Sequence, residues 1–420
     1  LLSPALLRTL FWVIAMHEHD VIIAGGGPVG LALALELARA GAAVLVLEAR
    51  PDRHAVPAGP LGARSVNVAS GRLLHGLGVL DAIRSRALWW FDPDAVAPPA
   101  TGRTVTEGFI GHFSGLGLKT ANLDPATLGD PGFGGGAVAM ADIVAALDDA
   151  ARAAGAEIRM GVAVTGFSEG TFGIEAHTGI GAFRARWLVA CDGGRSLLRK
   201  AAGIGFPGTD AEFVGRIAFV DLAPGAAPPV GDWIETPHGT WLHAPAGRFH
   251  IVEYGGPPID RATPVSLDEI AGSLARVAGL PLRVERLHFA QRYTDAARQA
   301  DAYRKGRLLL AGDAAHIHSP AGGQGLNQGF GDAAALGRLL PPVLRGAAPP
   351  ESLDAYDAER RPVGAAILDW TRAQSALGRP DPNSRALRRV VADLLDSKPA
   401  TSYVLRRIGG DWGDAGTTGG

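Results

Sequence analysis

A glycine-rich turn between two apolar runs constrains the fold of this chain more than any other feature. Residues 20–24 form a short apolar run, and Gly25-Gly26-Gly27-Pro28-Val29-Gly30 follows it at once. A leucine- and alanine-rich segment then leads to a second apolar run at 44–47. Two short apolar runs joined by a helical segment predict a βαβ unit, the start of a parallel sheet with helices on its faces.

The three glycines of this turn are spaced as a dinucleotide fingerprint requires. Gly25 permits a tight turn, Gly27 lets a pyrophosphate approach the backbone, and Gly30 allows close packing of helix on strand. Glu48 ends the second apolar run, where a carboxylate accepts hydrogen bonds from ribose hydroxyls. An acid at this position disfavours a 2′-phosphate, so we expect a bound nucleotide other than NADP.

A second glycine-rich segment lies far along the chain, at 312–327. It follows the apolar run 308–311, carries Asp313 and Pro320, and leads into a helix-like stretch. Free backbone N–H groups and the helix dipole at such a position favour a negatively charged group. Two such sites so far apart indicate one long cofactor held at both ends, and FAD fits this best.

Two smaller features allow both an ordinary and a functional interpretation. Asp192-Gly193-Gly194-Arg195-Ser196 follows an apolar run, and either Asp192 or Ser196 could simply cap a helix. Its position between the two glycine-rich segments is what suggests a cofactor contact. Arg64 precedes a predicted helix, where it is either a solvated arginine or a cation beside the cofactor.

Histidine and aromatic residues offer further candidates. His316 and His318 could suggest a metal or a general base, but no third ligand has a recognisable spacing, so we expect hydrogen bonds to the backbone and no metal. Several aromatic side chains could line a pocket or belong to the core: Trp89, Trp90, Phe91, Phe109, Phe113, Trp233 and Trp241.

Composition excludes several classes of function. Lys and Arg total 40 against 42 Asp and Glu, so no basic face for nucleic acid is expected. The single Cys191 rules out an internal disulfide framework and fits a reducing cytoplasm. Residues 1–15 are too short for a membrane span and lack signal-peptide features, so we expect them to be an upstream extension before Met16. These observations predict a cytoplasmic protein without a membrane or nucleic-acid partner.

Taken together, the three motifs resemble the signature of single-component, group A FAD-dependent aromatic hydroxylases, among them aromatic polyketide and rifampicin monooxygenases. The motifs are GGGPVG with Glu48, CDGGRS at 191–196 and GDAAHIHSPAGGQGLN at 312–327. The resemblance implies an α/β fold: a Rossmann-like FAD-binding domain, as in para-hydroxybenzoate hydroxylase, with an inserted antiparallel-sheet substrate domain. The implied FAD-binding segments are 16–90, 135–205 and 291–375; the substrate domain is 91–134 and 206–290, and 376–420 is a helical tail.

The same resemblance implies an activity and its partners. FAD would be the resident cofactor, and NADPH or NADH a transient co-substrate. A flavin C4a-hydroperoxide formed with O2 would hydroxylate a polycyclic aromatic substrate of the polyketide type. Baeyer–Villiger oxidation, epoxidation and flavin binding without turnover are the alternatives. We expect a monomer or a homodimer.

Site residues follow from the resemblance by position. Arg64 and Pro320 would lie near the flavin, while His243 and Tyr254, on predicted strands of the inserted domain, are candidate substrate contacts. No acid–base triad is required. The predicted cofactor contacts are Gly25, Gly27, Pro28, Val29, Gly30, Glu48, Ala49, Arg64, Asp192, Gly193, Gly312, Asp313, Pro320, Gly322, Gly323, Gly325, Leu326 and Asn327.

Two departures from the family pattern stand out. Met140 occupies a position where many relatives carry a glutamine that contacts the flavin nucleotide, so we expect that contact to be missing. Many polyketide hydroxylases continue into a thioredoxin-like domain, which we expect to be absent here.

Overall fold

The structure is a computed structural model of the chain. It describes residues 18–53, 63–90, 109–124, 135–225, 227–231, 233–244, 247–257, 263–279 and 282–413. The predicted extension at 1–15 and the candidate aromatic Phe91 lie outside these residues, as do the side chains of Trp89 and Phe109.

The described chain contains both strands and helices in its first half. In chain order the strands are β1 (His19–Ala24), β2 (Val44–Glu48), β3 (Ala63–Val66), β4 (Trp89–Trp90), β5 (Phe109–Phe113), β6 (Leu116–Lys119), β7 (Gly136–Ala139), β8 (Glu157–Met160), β9 (Val164–Glu169), β10 (Ile174–Thr178), β11 (Gly181–Ala190), β12 (Gly208–Thr209), β13 (Phe213–Leu222), β14 (Ile234–Thr236), β15 (Gly239–Ala244), β16 (Arg248–Tyr254), β17 (Val284–Thr294), β18 (Ala297–Gln299), β19 (Arg304–Lys305), β20 (Leu308–Leu310) and β21 (His316–Ile317). The helices are α1 (Pro28–Arg39), α2 (Val68–Gly76), α3 (Leu80–Arg84), α4 (Met140–Ala153), α5 (Leu197–Ala201), α6 (Leu267–Ala278), α7 (Gln324–Leu344), α8 (Asp354–Leu377), α9 (Pro382–Leu395) and α10 (Lys398–Gly409).

Among the described residues the main sheet has eight strands, and its centre is parallel. The strand order β20-β11-β1-β2-β8 is parallel throughout, while β19 joins one edge in the antiparallel sense. Strand β10 pairs with both β11 and β9, also antiparallel. The central strands are apolar over the parts that pair in the parallel sense, at 21–24, 44–47, 187–190 and 308–310, because both faces of the sheet are covered there. This arrangement confirms the predicted α/β fold class.

The register of the parallel strands brings the predicted motifs to one edge. Leu47, Ala24, Ala190 and Leu310 lie side by side in one row across the sheet. The residues that follow each of them therefore leave the sheet at the same level. Glycine loops, the Glu48 carboxylate and the turn after Cys191 all start here, at the carboxyl edge where open α/β sheets bind their ligands.

A five-stranded antiparallel sheet forms the second layer, in the order β14-β15-β16-β13-β17. Helix α6 covers one face of this sheet, packing on Trp241, Phe249 and Ile251. Charged groups are also buried under the helix: the Arg216 guanidinium donates to Glu253 at 2.8 Å and to Glu269 at 2.7 Å. The sheet agrees with the antiparallel pattern predicted for this part of the chain.

Helices α8, α9 and α10 form a third cluster with the β5–β6 hairpin. Phe113 of the hairpin packs on Trp370 of α8, with 4.6 Å between the ring centroids. Leu377, Leu395 and Leu405 complete this small core. The strands of the main sheet thus come from three separate stretches of the chain; the exact domain boundaries given above stay a prediction.

Candidate cofactor and substrate site

The first glycine loop is held by backbone contacts so close that a side chain has no room. A Cβ atom on Gly25, whose φ is 113°, would lie 2.2 Å from the carbonyl oxygen of Cys191. A Cβ atom on Gly30 would lie 2.1 Å from the carbonyl oxygen of Gly25. At Gly27, by contrast, a Cβ atom would meet nothing within 4 Å. Two glycines therefore serve the fold, while Gly27 leaves open space at the start of α1.

Glu48 lies beside this loop and is almost fully buried, with 7% of the residue exposed. Its carboxylate accepts a hydrogen bond from the Gly26 N–H at 2.6 Å and one from the Arg50 side chain at 2.9 Å. Burial raises the pKa of this carboxyl, but the hydrogen bonds and charge of Arg50 and the Gly26 N–H outweigh it and hold the pKa below its usual value. Glu48 is therefore fixed as a carboxylate at the edge of the sheet.

The turn after β11 caps a helix, as its ordinary interpretation predicts. Asp192 Oδ2 accepts from the Leu197 N–H at 2.9 Å, and Ser196 caps α5 through the Arg199 N–H at 3.0 Å. The second carboxylate oxygen, Asp192 Oδ1, is buried and has no hydrogen-bond partner in the described part of the chain. A buried acceptor left without a partner suits a site that receives a donor from a ligand.

The second glycine segment is held by a buried ionic cluster. Asp332, on α7, accepts hydrogen bonds from the Gly312 N–H at 3.0 Å and from Arg360 of α8 at 3.0 Å. His316 Nε2 lies 2.6 Å from the same carboxylate, and the side chains of His316 and Asp332 are each 1% exposed. Burial raises the pKa of Asp332, but His316 and Arg360 together keep it below its usual value. The loop is thus tied to two helices.

The two conspicuous histidines of this segment differ in their partners. His318 forms the expected backbone hydrogen bond, with Nδ1 2.8 Å from the carbonyl oxygen of Ser319. His316 instead pairs with a side chain, because the chain turns into α7 and brings Asp332, near the middle of that helix, back to it. No group of three or more side chains suited to a metal ion occurs among the residues that the structure describes.

Arg64 and Asp313 face each other across the site. Asp313 is exposed to solvent, yet enough protein surrounds it that burial raises the pKa of its carboxyl, while the charges of His316 and Arg64 lower it. Burial lowers the pKa of Arg64, and the charge of Asp313 partly offsets that effect. An exposed side chain with so much protein around it lies in a cleft, so this pair marks the floor of one.

The N-terminus of α7 opens toward the same region. Gly322 and Gly323 adopt left-handed φ values of 75° and 67°, which let the chain turn into the helix. The Gly323 N–H bonds to Pro320, so the N–H groups of Gln324, Gly325 and Leu326 are those without a partner inside the helix. These groups and the helix dipole favour an anion at this end.

Asn327 has a different role from its neighbours. Its side-chain oxygen accepts from the Asn67 N–H at 2.9 Å and from the Ser70 hydroxyl at 2.6 Å. Its amide nitrogen donates to the carbonyl oxygens of Ser65 at 3.0 Å and Gly323 at 2.8 Å. The side chain is therefore fully used in joining α7 to the segment that carries Arg64.

Gln374 is a site residue that the sequence analysis missed. Its side-chain oxygen accepts from the Ser114 N–H at 3.0 Å, and its carbonyl oxygen accepts from the Ser114 hydroxyl at 2.6 Å. A Cβ atom on Gly322 would lie 3.1 Å from its amide. Gln374 thus joins the β5–β6 hairpin to the second glycine segment; no local pattern in the sequence signals this contact.

The face of the five-stranded sheet away from α6 is aromatic. Phe213 contacts the rings of Tyr254 at 5.4 Å and Tyr293 at 6.0 Å between centroids. The Tyr293 ring lies directly over Gly215, where a Cβ atom would come within 2.0 Å of it, and its hydroxyl bonds to His250. Burial lowers the pKa of His250 to about 4, so the imidazole is neutral.

This aromatic face adjoins the second glycine segment through α8. The Tyr254 hydroxyl lies close to Gly378, 3.6 Å from the position that a Cβ atom on this glycine would occupy. Gln374 lies one helical turn before Gly378. Burial, with the nearby charge of Asp295, raises the pKa of Tyr254 well above its usual value, so the phenol stays protonated. Of the two candidate substrate contacts, Tyr254 lies on this face.

His243 and several candidate pocket residues lie elsewhere. His243 is 6% exposed on the α6 side of the sheet, stacked on Phe249 and 2.7 Å from the Pro228 carbonyl oxygen. Trp241 belongs to the core under α6, and Phe113 packs on α8. Trp233 does reach the aromatic face, 4.7 Å from His250. Met140 begins α4 and packs against the main core.

The site fits a long anionic cofactor, because the protein groups around it leave space and hydrogen-bonding capacity unused. Open space at Gly27, the unpartnered Asp192 oxygen and the free N–H groups of α7 all belong to loops that leave one edge of the sheet.

No helix in the described ranges is both long and apolar enough to cross a membrane.

Known proteins resemble this chain over most of its length. The model of the family described as FAD binding domain matches residues 18–371. The 12-dehydrotetracycline 5-monooxygenase/anhydrotetracycline 6-monooxygenase of Streptomyces rimosus is 36% identical over 93% of this chain and 76% of its own. The rifampicin monooxygenase of Streptomyces venezuelae is 36% identical over 93% of this chain and 78% of its own. Among solved structures, the Diels-Alderase of pyrroindomycin biosynthesis is 33% identical, with a TM-score of 0.79 over 93% of this chain and 80% of its own.

Proposed function

The chain belongs to the FAD-binding family of flavin-dependent aromatic monooxygenases, and from this premise we propose that it hydroxylates a polycyclic aromatic compound of the polyketide type. The observation that carries the proposal is the aromatic face of the five-stranded sheet, one helical turn of α8 from the second glycine segment. NAD(P)H and O2 are the co-substrates of such an enzyme.

The first glycine loop would hold the adenine-nucleotide half of FAD. Open space at Gly27 lets a pyrophosphate reach the backbone at the start of α1, where N–H groups and the helix dipole favour it. Glu48 stays ionised and keeps lone pairs for the ribose hydroxyls beside its bonds to Gly26 and Arg50. Pro28, Val29 and Ala49 complete the predicted contacts.

The second glycine segment would hold the ribityl chain and the ring. Asp313, in the cleft beside Arg64, offers oxygens to the ribityl hydroxyls. The N–H groups of Gln324, Gly325 and Leu326 would then stabilise negative charge on the ring. Redox chemistry with NAD(P)H and O2 is supplied by FAD when it is bound.

The protein's own part is to place the substrate and exclude water. Phe213, Tyr254 and Tyr293 present ring faces and edges that suit stacking against a planar aromatic compound. Tyr254 and Tyr293 keep their protons because burial raises their pKa. The Tyr254 hydroxyl can therefore donate to a substrate oxygen, while the Tyr293 proton is used in the hydrogen bond to His250. Neutral His250 accepts the Tyr293 proton in their hydrogen bond and fixes that ring.

The direct test uses isotopically labelled oxygen. FAD-loaded protein, NADPH and ¹⁸O2 are incubated with a panel of polycyclic phenols that includes anhydrotetracycline. We expect substrate-dependent NADPH oxidation and a product that carries one ¹⁸O atom. Phe213→Ala is expected to raise KM at least about fivefold because it removes one ring of the face, whereas Phe172→Ala, at a site 53% exposed elsewhere, leaves KM unchanged. FAD-loaded protein that labels no compound of this class would contradict the proposal.

One observation favours a second function. The chain is similar to a Diels-Alderase in fold and over nearly its whole length, so the aromatic face could instead orient a polyene for ring closure. Such a reaction needs neither NAD(P)H nor O2. Anaerobic incubation with linear dienes, without NAD(P)H, would then yield a product of unchanged mass, and the labelled-oxygen assay would stay negative.

A further inference from the structure

Helix α9 exposes a stripe of large apolar side chains. Leu387, Val390 and Leu394 are 53%, 55% and 61% exposed, and their spacings of three and four residues place them on one side of the helix. The neighbouring side of α9 packs through Val391 and Leu395 into the cluster with α8 and α10. The helix is thus apolar on two sides, and only one of them meets the described part of its own chain.

Other exposed apolar residues do not form such a stripe. Phe172, Ile180 and Val230 are 53%, 70% and 55% exposed, but they lie in turns or connecting segments and not along one helix. Single exposed apolar side chains are ordinary on protein surfaces. Three in a row at helical spacing are the mark of a contact surface.

Two charged residues flank the stripe on one side. Arg389 and Asp393 are both exposed and one helical turn apart, yet neither forms an ion pair within the described residues. The basic group precedes the acidic one along the helix, which is the less favourable order for a pair within one helix. These charges are available to another chain.

The apolar stripe and its two flanking charges on one copy of α9 are complementary to the same surface on a second copy. When two α9 helices pack antiparallel around a two-fold axis near Val390, Leu387 of one copy lies opposite Leu394 of the other. The same alignment, shifted by at most one residue, places Arg389 of one copy opposite Asp393 of the other. In antiparallel helix pairs the residues on equivalent flanks face each other, so two ion pairs form, one for each copy.

We propose that α9 is a self-association surface, and that its occupant is α9 of a second copy of this chain in antiparallel orientation. A standard interface buries about 800 Å² on each partner, more than three half-exposed side chains supply. The dimer is therefore weak, with a dissociation constant in the micromolar range, and its formation does not depend on the catalytic function.

Sedimentation velocity over a concentration series tests the surface through charge exchange. Arg389→Asp and Asp393→Arg each place like charges opposite each other, so each is expected to weaken association at least tenfold. The double variant Arg389→Asp/Asp393→Arg restores both ion pairs in reversed order and should recover the affinity of the unchanged protein.

Matched apolar changes complete the experiment. Leu394→Asp should abolish the dimer, while Ile180→Asp, at a more exposed apolar residue outside the stripe, should leave it intact. Thermal unfolding verifies that each variant is folded. An unchanged protein that stays monomeric into the hundreds of micromolar would overturn the proposal, and so would a double variant as weak as the single ones.

Discussion

The two glycine-rich loops of the site are held in place in opposite ways. The first, at 25–30, is held by backbone against backbone, and its glycines are needed because Cβ atoms would collide with carbonyl oxygens. The second, at 312–327, is held by side chains from distant elements: Asp332, Arg360, Asn327 and Gln374. One loop depends on the absence of side chains and the other on a buried polar network.

This difference predicts which substitutions each loop tolerates. A backbone contact cannot relax, so the first loop should respond to added volume and hardly to charge. A buried polar network loses most when one partner is removed, because the others remain desolvated and unpaired. The second loop should therefore respond to lost polar groups.

The largest effect is expected at the centre of the second network. Asp332→Asn leaves Arg360 and His316 buried without their carboxylate, which should lower the free energy of unfolding by about 4 kcal/mol. Asp369→Asn is the matched control, since Asp369 is 77% exposed in a surface pair with Arg372 and should cost under about 0.5 kcal/mol. Urea unfolding measures both; equal losses would remove the distinction between the loops.

Added volume in the first loop should have the next largest effect. Gly30→Ala places a methyl group against the Gly25 carbonyl and should destabilise the protein without cofactor by about 3 kcal/mol. Gly27→Ala, in the same loop, should leave that stability unchanged because its Cβ meets open space. The same change should weaken FAD binding at least about tenfold, or 1.4 kcal/mol, in a flavin-fluorescence titration. Normal FAD affinity of Gly27→Ala would contradict the proposed pyrophosphate contact.

A smaller effect is expected where the network reaches the segment that carries Arg64. Asn327→Ala leaves the Asn67 N–H and the carbonyl oxygen of Ser65 without partners and should cost about 2 kcal/mol. Hydrogen exchange should speed up at residues 65–70 and stay unchanged at 25–30. The exposed Asn383→Ala serves as control, and uniform acceleration in both loops would show that they are not independent.

The smallest effect concerns two carboxyls with opposite pKa shifts. The pKa of Asp313 is raised in the folded protein, so its ionisation opposes folding as pH rises from about 4, its unfolded value. Asp313→Asn should therefore stabilise the cofactor-free protein at pH 7, by less than about 1 kcal/mol for a solvent-screened group. The gain should vanish below about pH 4.

Glu48 provides the comparison at the first loop. Its pKa is lowered in the folded protein, so its contribution to stability is complete above about pH 4.3 and is lost as pH falls through the folded pKa. Glu48→Gln should therefore destabilise at pH 7, the opposite sign to Asp313→Asn. Unfolding curves from pH 3 to 8 measure both stability changes. Changes of the same sign in the two variants would contradict the opposite pKa shifts of Glu48 and Asp313.

Sequence reasoning reached some of these residues and not others. The strand pattern and the glycine spacing predicted the first loop, because the strand, turn and helix of that unit and Glu48 lie within about thirty positions of one another. Capping by Asp192 or Ser196 was one of the two interpretations that the sequence allowed for that turn. The partner of His316 was missed, although Asp332 is close in sequence, since only the turn into α7 brings it back. Gln374 and Ser114 carried no signal at all.

By itself, the sequence determined the α/β fold, the glycine-rich motifs and the family. These depend on local periodicity and on glycines whose geometric demands are local. Tertiary structure alone decided that Tyr254 faces the aromatic side of the sheet and His243 the core under α6. It also decided that Asn327 serves as a tie between segments, and that Asp313 lies in a cleft with Arg64. Such outcomes depend on strand register and on contacts between distant segments, and no short stretch of sequence encodes either.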